Sequence, residues 1–216
     1  ALQTRWAHKF PEREKKITAY HEMGHALIGS VLPHSDPVHK VSIISRGHAA
    51  GYTLKLPFED RKLESKKEFL DEIAALLGGY AAEQLIFGDI TTGASNDLAV
   101  ATYTARNMVT KYGMSEKLGP VAFDTGSERH LVSGGQLVEK ASSEAVSALI
   151  DQEISKILSE GLTRANQVLT DYRAALDAMS EELIKVETID REDFDKLLIL
   201  NGIKPKEDTN KVVDNL

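Results

Sequence analysis

Residues 18–25 read Thr18-Ala19-Tyr20-His21-Glu22-Met23-Gly24-His25 and contain the pattern His-Glu-x-x-His. If the segment is helical, His21 and His25 lie on one face, one turn apart, so their ring nitrogens can converge on a single ion. Glu22 then lies about 100° further round the helix, beside the ion but free to act on water. This stretch therefore predicts a catalytic metal site on a helix.

The surrounding sequence supports the helix and predicts a mainly helical chain. Apolar residues recur at three- and four-residue spacing from Glu12 to about Val31, the pattern of an amphipathic helix. Similar patterns predict further helices over 64–87 and 95–112, a long helical stretch from Ser142 with a break near Asp171, and a last short helix from Asp190 to Leu200. Short alternating runs at 38–45 and 51–56 predict two strands, joined by the loop 46–50. We expect a mainly α fold with a small β element (α+β), and an irregular loop over 124–135.

The composition restricts the chemistry of the site. The 216 residues include 33 acidic and 26 basic side chains, seven histidines and no cysteine. Without cysteine there is no disulfide framework, thiol nucleophile or cysteine-based zinc finger, so histidine and carboxylate must supply the ligands. The net charge of −7 argues against a dedicated nucleic-acid-binding protein. No apolar run is long enough to span a bilayer, and we expect the chain itself to be soluble.

A catalytic zinc site needs a third protein ligand, which the spacing around His25 does not supply. Ile28 and Val31 occupy the positions where a metzincin has its glycine and third histidine, and no Glu occurs between His25 and Glu59. The candidates farther along the chain are Glu83, Asp89 and Asp97. Sequence spacing does not decide among them.

Several ordered motifs give the chain a resemblance to a known family. They are residues 17–27 around the His-Glu-x-x-His pattern, the run 87–98 (Phe-Gly-Asp-Ile-Thr-Thr-Gly-Ala-Ser-Asn-Asp-Leu), Gly51-Tyr52-Thr53, Gly78-Gly79, and the run from Ala105 to Pro120. Together they resemble the peptidase domain of the FtsH-type zinc metalloproteases, which are coupled to an AAA ATPase and anchored in a membrane. Met23, Tyr80 and Gln84 stand where that family usually has alanine, arginine and glutamate.

The resemblance implies a role for each site residue. It implies that His21, His25 and Asp97 bind one Zn²⁺ per chain and that Glu22 is the catalytic general base. Glu83 would then be a residue behind the ligands, and the strand at 51–56 would be an edge against which an extended substrate pairs.

The resemblance also implies a larger protein. The parent would be a membrane-anchored, ATP-dependent homo-hexamer, with its peptidase domain on the cytoplasmic side or in the equivalent organelle matrix or stroma. It would degrade unfolded or misfolded membrane and soluble proteins. This sequence has no Gly-x-x-x-x-Gly-Lys-Ser/Thr motif and begins at Ala1, so we expect a piece of that parent, with ATP used only by a module absent from it.

Within the chain we expect three parts. Residues 1–13 form a linker or divergent segment, and 204–216 a flexible tail. Between them, 14–203 form the zinc peptidase domain, with a catalytic part at about 14–122 and a helical part at about 136–203. The alternative function is a catalytically inactive helical assembly module of the same complex, against which the intact set of His21, Glu22, His25 and Asp97 counts.

Overall fold

The architecture is helical with one small sheet, as the sequence predicts. We describe it from a computed structural model, over residues 11–44, 50–57, 63–123 and 143–207. The helices are α1 (Glu12–Val31), α2 (Lys66–Leu76), α3 (Gly78–Phe87), α4 (Ser95–Thr110), α5 (Glu144–Asp171), α6 (Arg173–Val186) and α7 (Arg191–Leu200). The strands are β1 (Val38–Ser42), β2 (Tyr52–Lys55) and β3 (Thr188–Asp190), and Thr92–Ala94 form a 3₁₀ turn before α4. The predicted loops at 46–50 and 124–135 fall wholly or mostly outside the described residues.

Helix α1 is the central element of the fold. It packs against α3 and α6, and also contacts α2, α5, β1 and β2. Its buried positions include the three residues of the His-Glu-x-x-His pattern as well as apolar side chains such as Met23 and Leu27. Met23 is fully buried in the apolar cluster, away from the polar face, so its side chain serves packing.

Two apolar clusters form the core, and both include residues of α2 and α5. One joins these helices to α1, α3, α6, α7 and the sheet, and includes Leu27, Leu176 and Phe194. The other joins α2, α4 and α5 and includes Ile73 and Met108. Leu162 of α5 packs against both clusters, so the long helix connects them. Within the described ranges no helix combines the length and the apolar character needed to cross a bilayer.

The sheet is antiparallel with the strand order β2-β1-β3. Strand β3 was not predicted: it has three residues, too few for an alternating pattern to show. It adds to β1 on the side opposite β2, which leaves β2 as an edge strand among the described residues. Asp190 does occupy the N-cap position of α7, but its carboxylate pairs with Lys40 of β1 at 2.8 Å and makes no capping hydrogen bond.

The segment predicted as one helix over 64–87 is two helices. The break falls at Leu77, between α2 and the Gly78-Gly79 pair that opens α3. A Cβ built on Gly24 would lie 2.4 Å from the carbonyl oxygen of Gly78, so the α1 and α3 backbones touch here. The prediction was wrong because the apolar pattern runs through the break without interruption, while the tertiary contact with α1 sets where α3 begins.

Ser180 of α6 offers a test of the packing. It is fully buried, and its hydroxyl is the one buried side-chain polar atom without a hydrogen-bond partner among the described residues. An unsatisfied buried hydroxyl destabilises the fold, so Ser180→Ala should raise the free energy of unfolding by about 1 kcal/mol. Ser30 of α1 is a matched control because its buried hydroxyl donates to the Ala26 carbonyl at 2.8 Å. Urea unfolding of Ser180→Ala and Ser30→Ala measures the change in the free energy of unfolding for each. Equal changes in the two variants would contradict the prediction.

The environment of Tyr20 on α1 predicts that the fold loses stability at alkaline pH. Its ring packs edge-on to Phe87, and its hydroxyl donates to Asp177 at 3.1 Å. Burial, followed by that hydrogen bond, raises the pKa of Tyr20 to about 12. Between about pH 10 and 12 the unfolded chain has therefore lost a proton that the folded chain keeps, so the free energy of unfolding falls as the pH rises. The free energy of unfolding, measured with denaturant at pH 9 to 12, should fall less steeply with pH in Tyr20→Phe than in the parent chain. Identical slopes in the two would contradict the raised pKa of Tyr20.

Candidate metal centre

Helix α1 brings two imidazoles together at the floor of a cleft. His21 and His25 lie on successive turns and are both buried, with their ring centroids 4.7 Å apart and their planes at 77°. Their Nε2 atoms are 3.0 Å apart. The convergence predicted from the four-residue spacing is therefore present in the structure.

Asp97 completes a group of three donor atoms. It lies in the first turn of α4, and its Oδ2 is 3.2 Å from Nε2 of His21 and 3.4 Å from Nε2 of His25. Zinc bound tetrahedrally at 2.0–2.1 Å places its ligand atoms about 3.3 Å from one another. The three separations match that value, so His21, His25 and Asp97 form a group that could hold a zinc ion.

The other two candidates for the third ligand lie elsewhere. Glu83 of α3 is fully buried behind the site, and its Oε1 lies 2.7 Å from Nδ1 of His21. Asp89 is exposed, and its carboxylate accepts a hydrogen bond from the Ile90 amide. The structure thus brings Asp97 to the Nε2 atoms of both histidines and Glu83 to the opposite side of the His21 ring. Asp89 contacts neither histidine.

Hydrogen bonds behind the rings determine which nitrogens face the cleft. Nδ1 of His25 donates to the Ala75 carbonyl at 2.7 Å, since a carbonyl oxygen only accepts. Nδ1 of His21 donates in the same way to the Glu83 carboxylate. A neutral imidazole that donates from Nδ1 keeps a lone pair on Nε2, the form that binds a metal. Two lone pairs and a carboxylate oxygen therefore converge on one point, which favours a cation there.

The electrostatics of the group are consistent with a site for positive charge. Burial alone lowers the pKa of His21, but the hydrogen bonds to Asp97 and Glu83 outweigh it and raise the pKa to about 9. For Asp97, burial raises the pKa, and the hydrogen bonds to His21 and His25 outweigh it and lower the pKa well below its usual range. The carboxylates thus favour positive charge at His21, either a proton on its Nε2 or a cation that takes the place of that proton.

Glu22 lies beside this group in a separate set of contacts. Its Oε2 accepts a hydrogen bond of 2.7 Å from the Thr53 hydroxyl of β2. Burial raises the pKa of Glu22, opposed by His25 and by the Thr53 hydrogen bond. A raised pKa brings a carboxylate closer to the range in which it exchanges protons at neutral pH. The Thr53 contact thus fixes the position of the Glu22 carboxylate, and burial raises its proton affinity.

Two glycines allow the side chains to fit, and sequence reasoning assigned neither a role. A Cβ on Gly79 would lie 2.3 Å from Cε1 of His21, inside the ring's own volume. A Cβ on Gly51 would lie 2.8 Å from Oε1 of Glu22. The role of Thr53 was missed as well. All three belong to the short motifs that carry the resemblance, but only their contacts show what they do.

The site opens into a cleft of about 1000 Å³. Its floor is the face of α1 that carries His21 and His25; one wall is the strand from Gly51 to Lys55, and the other is the turn from Thr91 to Asp97. The cleft extends along α1 on both sides of the histidines, from Glu14 at one end to Lys55 at the other. An extended peptide could lie along it across the donor group.

The chain is similar in sequence to known zinc metalloproteases. The chain is 49% identical over 188 residues to an ATP-dependent zinc metalloprotease FtsH of Pseudothermotoga lettingae, covering 86% of this chain and 30% of that protein. It is 46% identical over 206 residues to FtsH 3 of Petrotoga mobilis (95% and 31%) and 47% identical over 196 residues to FtsH of Bacillus subtilis (90% and 31%). The chain thus spans about three-tenths of the length of these relatives.

The family assignment rests on a match over most of the chain. The model of peptidase family M41 matches residues 8–197, which include all of α1 to α6 and the whole donor group. The resemblance drawn from the sequence motifs is therefore confirmed, and the chain belongs to peptidase family M41.

Proposed function

We propose that this chain is a zinc-dependent endopeptidase in which His21, His25 and Asp97 hold one Zn²⁺ and Glu22 is the general base. The observation that carries the proposal is the triangle of donor atoms with sides of 3.0, 3.2 and 3.4 Å, beside a buried carboxylate. Family membership and the names of the relatives, zinc metalloproteases, support it.

The chemistry divides between the metal and the protein. Zinc, when bound, supplies a Lewis acid that polarises the scissile carbonyl and makes water acidic near neutral pH. Glu22 accepts a proton from the attacking water and delivers it to the leaving nitrogen. Thr53 holds one carboxylate oxygen of Glu22, which leaves Oε1 to take part in the proton transfer. Glu83 and Ala75 keep the imidazoles turned with Nε2 toward the ion.

The substrate is proposed to bind as an added strand. Within the described part of the chain β2 pairs on one side only, and it forms a wall of the cleft. Main-chain hydrogen bonds to a strand edge recognise any extended peptide largely independently of its sequence. This mode of binding suits unfolded or misfolded polypeptides, which expose their backbone, and it is the reason we propose them as substrates.

In the cell we propose that the chain is the proteolytic module of a larger ATP-dependent protease. The relatives are named ATP-dependent, and this chain corresponds to about three-tenths of their length. We place the peptidase domain at residues 14–203, in a homo-hexamer whose ATPase and membrane anchor lie outside this sequence. The domain would face the cytoplasm, or the matrix or stroma of an organelle, and receive unfolded chains from the ATPase.

The role of Glu22 gives a direct test. Glu22→Gln keeps the shape of the side chain but removes its basicity, so the variant should bind about one zinc per chain and hydrolyse casein at least about 100-fold more slowly. Metal content and casein hydrolysis, with and without a chelator, check both parts. Glu153→Gln is the matched control, a buried glutamate on α5 bonded to Ser115 and remote from the cleft. A Glu22→Gln variant as active as an active parent would refute the role of Glu22, and a zinc-loaded parent that hydrolyses no casein would favour the inactive assembly module.

The ligand assignment gives a second test. Asp97→Ala removes a proposed ligand and should weaken zinc binding most. Glu83→Ala removes the partner of the His21 ring and should weaken it about 10- to 100-fold. Asp89→Ala, the exposed control, should leave the affinity unchanged. Competition with a chromogenic chelator measures all three; a larger loss for Glu83→Ala than for Asp97→Ala would reassign the ligand.

A further inference from the structure

Lys55 is a charged residue in the cleft that the proposed mechanism does not use. It is the last residue of β2, two positions after Thr53. A Cβ built on Gly29 would lie 3.5 Å from Cδ of Lys55, so the lysine stem crosses the face of α1 at Gly29. Gly29 follows His25 by one turn on that face, about 6 Å along the helix axis. Lys55 therefore lies one helical turn beyond the proposed metal site.

The ammonium of Lys55 has no direct partner in the described structure. Nζ makes no hydrogen bond or ion pair with any residue in the described ranges, although the side chain is partly buried and lines the cleft. Burial lowers the pKa of Lys55, opposed by the more distant negative charges of Glu72, Asp36 and Asp97. A partly desolvated ammonium without an acceptor is unfavourable, and a hydrogen-bond acceptor that enters the cleft would relieve this.

A substrate strand would bring such an acceptor to Lys55. Thr53 contacts Glu22, so the substrate residue opposite Thr53 lies at the reacting centre, and the residue opposite Lys55 lies about two positions away along the peptide. Side chains opposite each other on paired strands share a face of the sheet, with Cβ atoms about 5 Å apart. The substrate side chain opposite Lys55 would therefore point into the cleft beside the ammonium.

We propose that Lys55 is a specificity-determining residue that binds a carboxylate of the substrate about two residues from the scissile bond. The inference rests on the proposed function, because it needs a peptide in the cleft. The carboxylate can come from a Glu or Asp side chain or from a free chain end. A C-terminal carboxylate reaches Lys55 only if the substrate strand runs parallel to β2, whereas a side chain reaches it in either direction.

The test compares pairs of peptides that differ by one charge. Fluorogenic peptides carry Glu or Gln at each of the three positions on either side of the cleaved bond, and a second set ends in a free acid or an amide. The zinc-loaded parent chain should prefer Glu over Gln about fivefold in kcat/KM at one position, or the free acid over the amide, the effect of one partly exposed ion pair. Which set shows the preference identifies the source of the carboxylate.

Variants of Lys55 attribute the preference to this residue. In Lys55→Met the two peptides of a pair should have nearly equal kcat/KM values. Lys55→Arg, which keeps the charge, should retain most of the preference. Lys40→Met is the matched control: Lys40 lies on the neighbouring strand β1, pairs with Asp190 and does not line the cleft, so its removal changes the net charge equally and should leave the ratio intact. A preference that survives in Lys55→Met, or equal kcat/KM values for all pairs of peptides that the parent chain cleaves, would overturn the proposal.

A binding measurement separates this proposal from the proposed function. Fluorescence anisotropy with the same peptide pairs on the zinc-loaded Glu22→Gln variant, and on that variant combined with Lys55→Met, reports recognition without turnover. If no peptide is cleaved by the parent chain but the Kd ratio depends on Lys55, the proposed hydrolysis fails and the role of Lys55 stands. If peptides are cleaved but neither ratio depends on Lys55, the peptidase function stands and this inference fails.

Discussion

The hydrogen bond between His21 and the buried carboxylate of Glu83 is the contact on which the rest of the site depends. One oxygen of Glu83 accepts from Nδ1 of His21, which fixes the orientation and the tautomer of that ring. Its other oxygen accepts from the Thr91 amide at 2.6 Å, which holds the turn that leads into α4 and Asp97. A single carboxylate on α3 therefore links a histidine on α1 to the loop that carries the third donor, and the convergence of three elements on one point follows from it.

This link constrains how closely the helices must pack. Glu83 reaches His21 because α3 touches α1 backbone to backbone at Gly24 and Gly78, and the ring of His21 then occupies the space where a side chain at position 79 would be. The break between α2 and α3 at Leu77 follows from the same requirement. This close packing places three buried or partly buried carboxylates, Glu22, Glu83 and Asp97, in one small volume, where their charges repel one another. Such a group is stable only when positive charge compensates it, which a divalent cation would supply.

The part of the site within one helix could be predicted from sequence, and the part between helices could not. His21, Glu22 and His25 have fixed relative positions on a helix, so their spacing alone determines which face they share. Asp97 is 76 positions from His21 and Glu83 is 62, and no local periodicity relates residues that far apart. The resemblance to a family was needed to choose Asp97, and the distances to both histidines now support that choice.

The accuracy of the predicted secondary structure follows the same division between local pattern and tertiary contact. Helix α1, which has a long apolar stripe, was predicted nearly residue for residue: it was expected at Glu12 to about Val31 and spans Glu12–Val31. Strand β3 was missed because three residues gain their structure from pairing with β1, not from their own pattern. The helix end predicted at residue 87 was confirmed because it depends on a local property: Gly88, which follows it, has a positive φ of 66° that glycine tolerates. Contacts such as Thr53 to Glu22 are tertiary and leave no periodic trace in the sequence.

The Thr53 contact has a consequence for how binding and chemistry are coupled. Thr53 lies on β2, the strand against which a substrate would pair, and it hydrogen-bonds the carboxylate proposed as the base. Its hydroxyl is also 3.1 Å from the backbone carbonyl of Glu22, so the strand is tied to the helix at this residue. A shift of β2 by one residue would replace Thr53 with a side chain on the other face of the sheet and release Glu22. The register that aligns a peptide with the cleft is therefore the register that positions the base, because both depend on the same residue of one short strand.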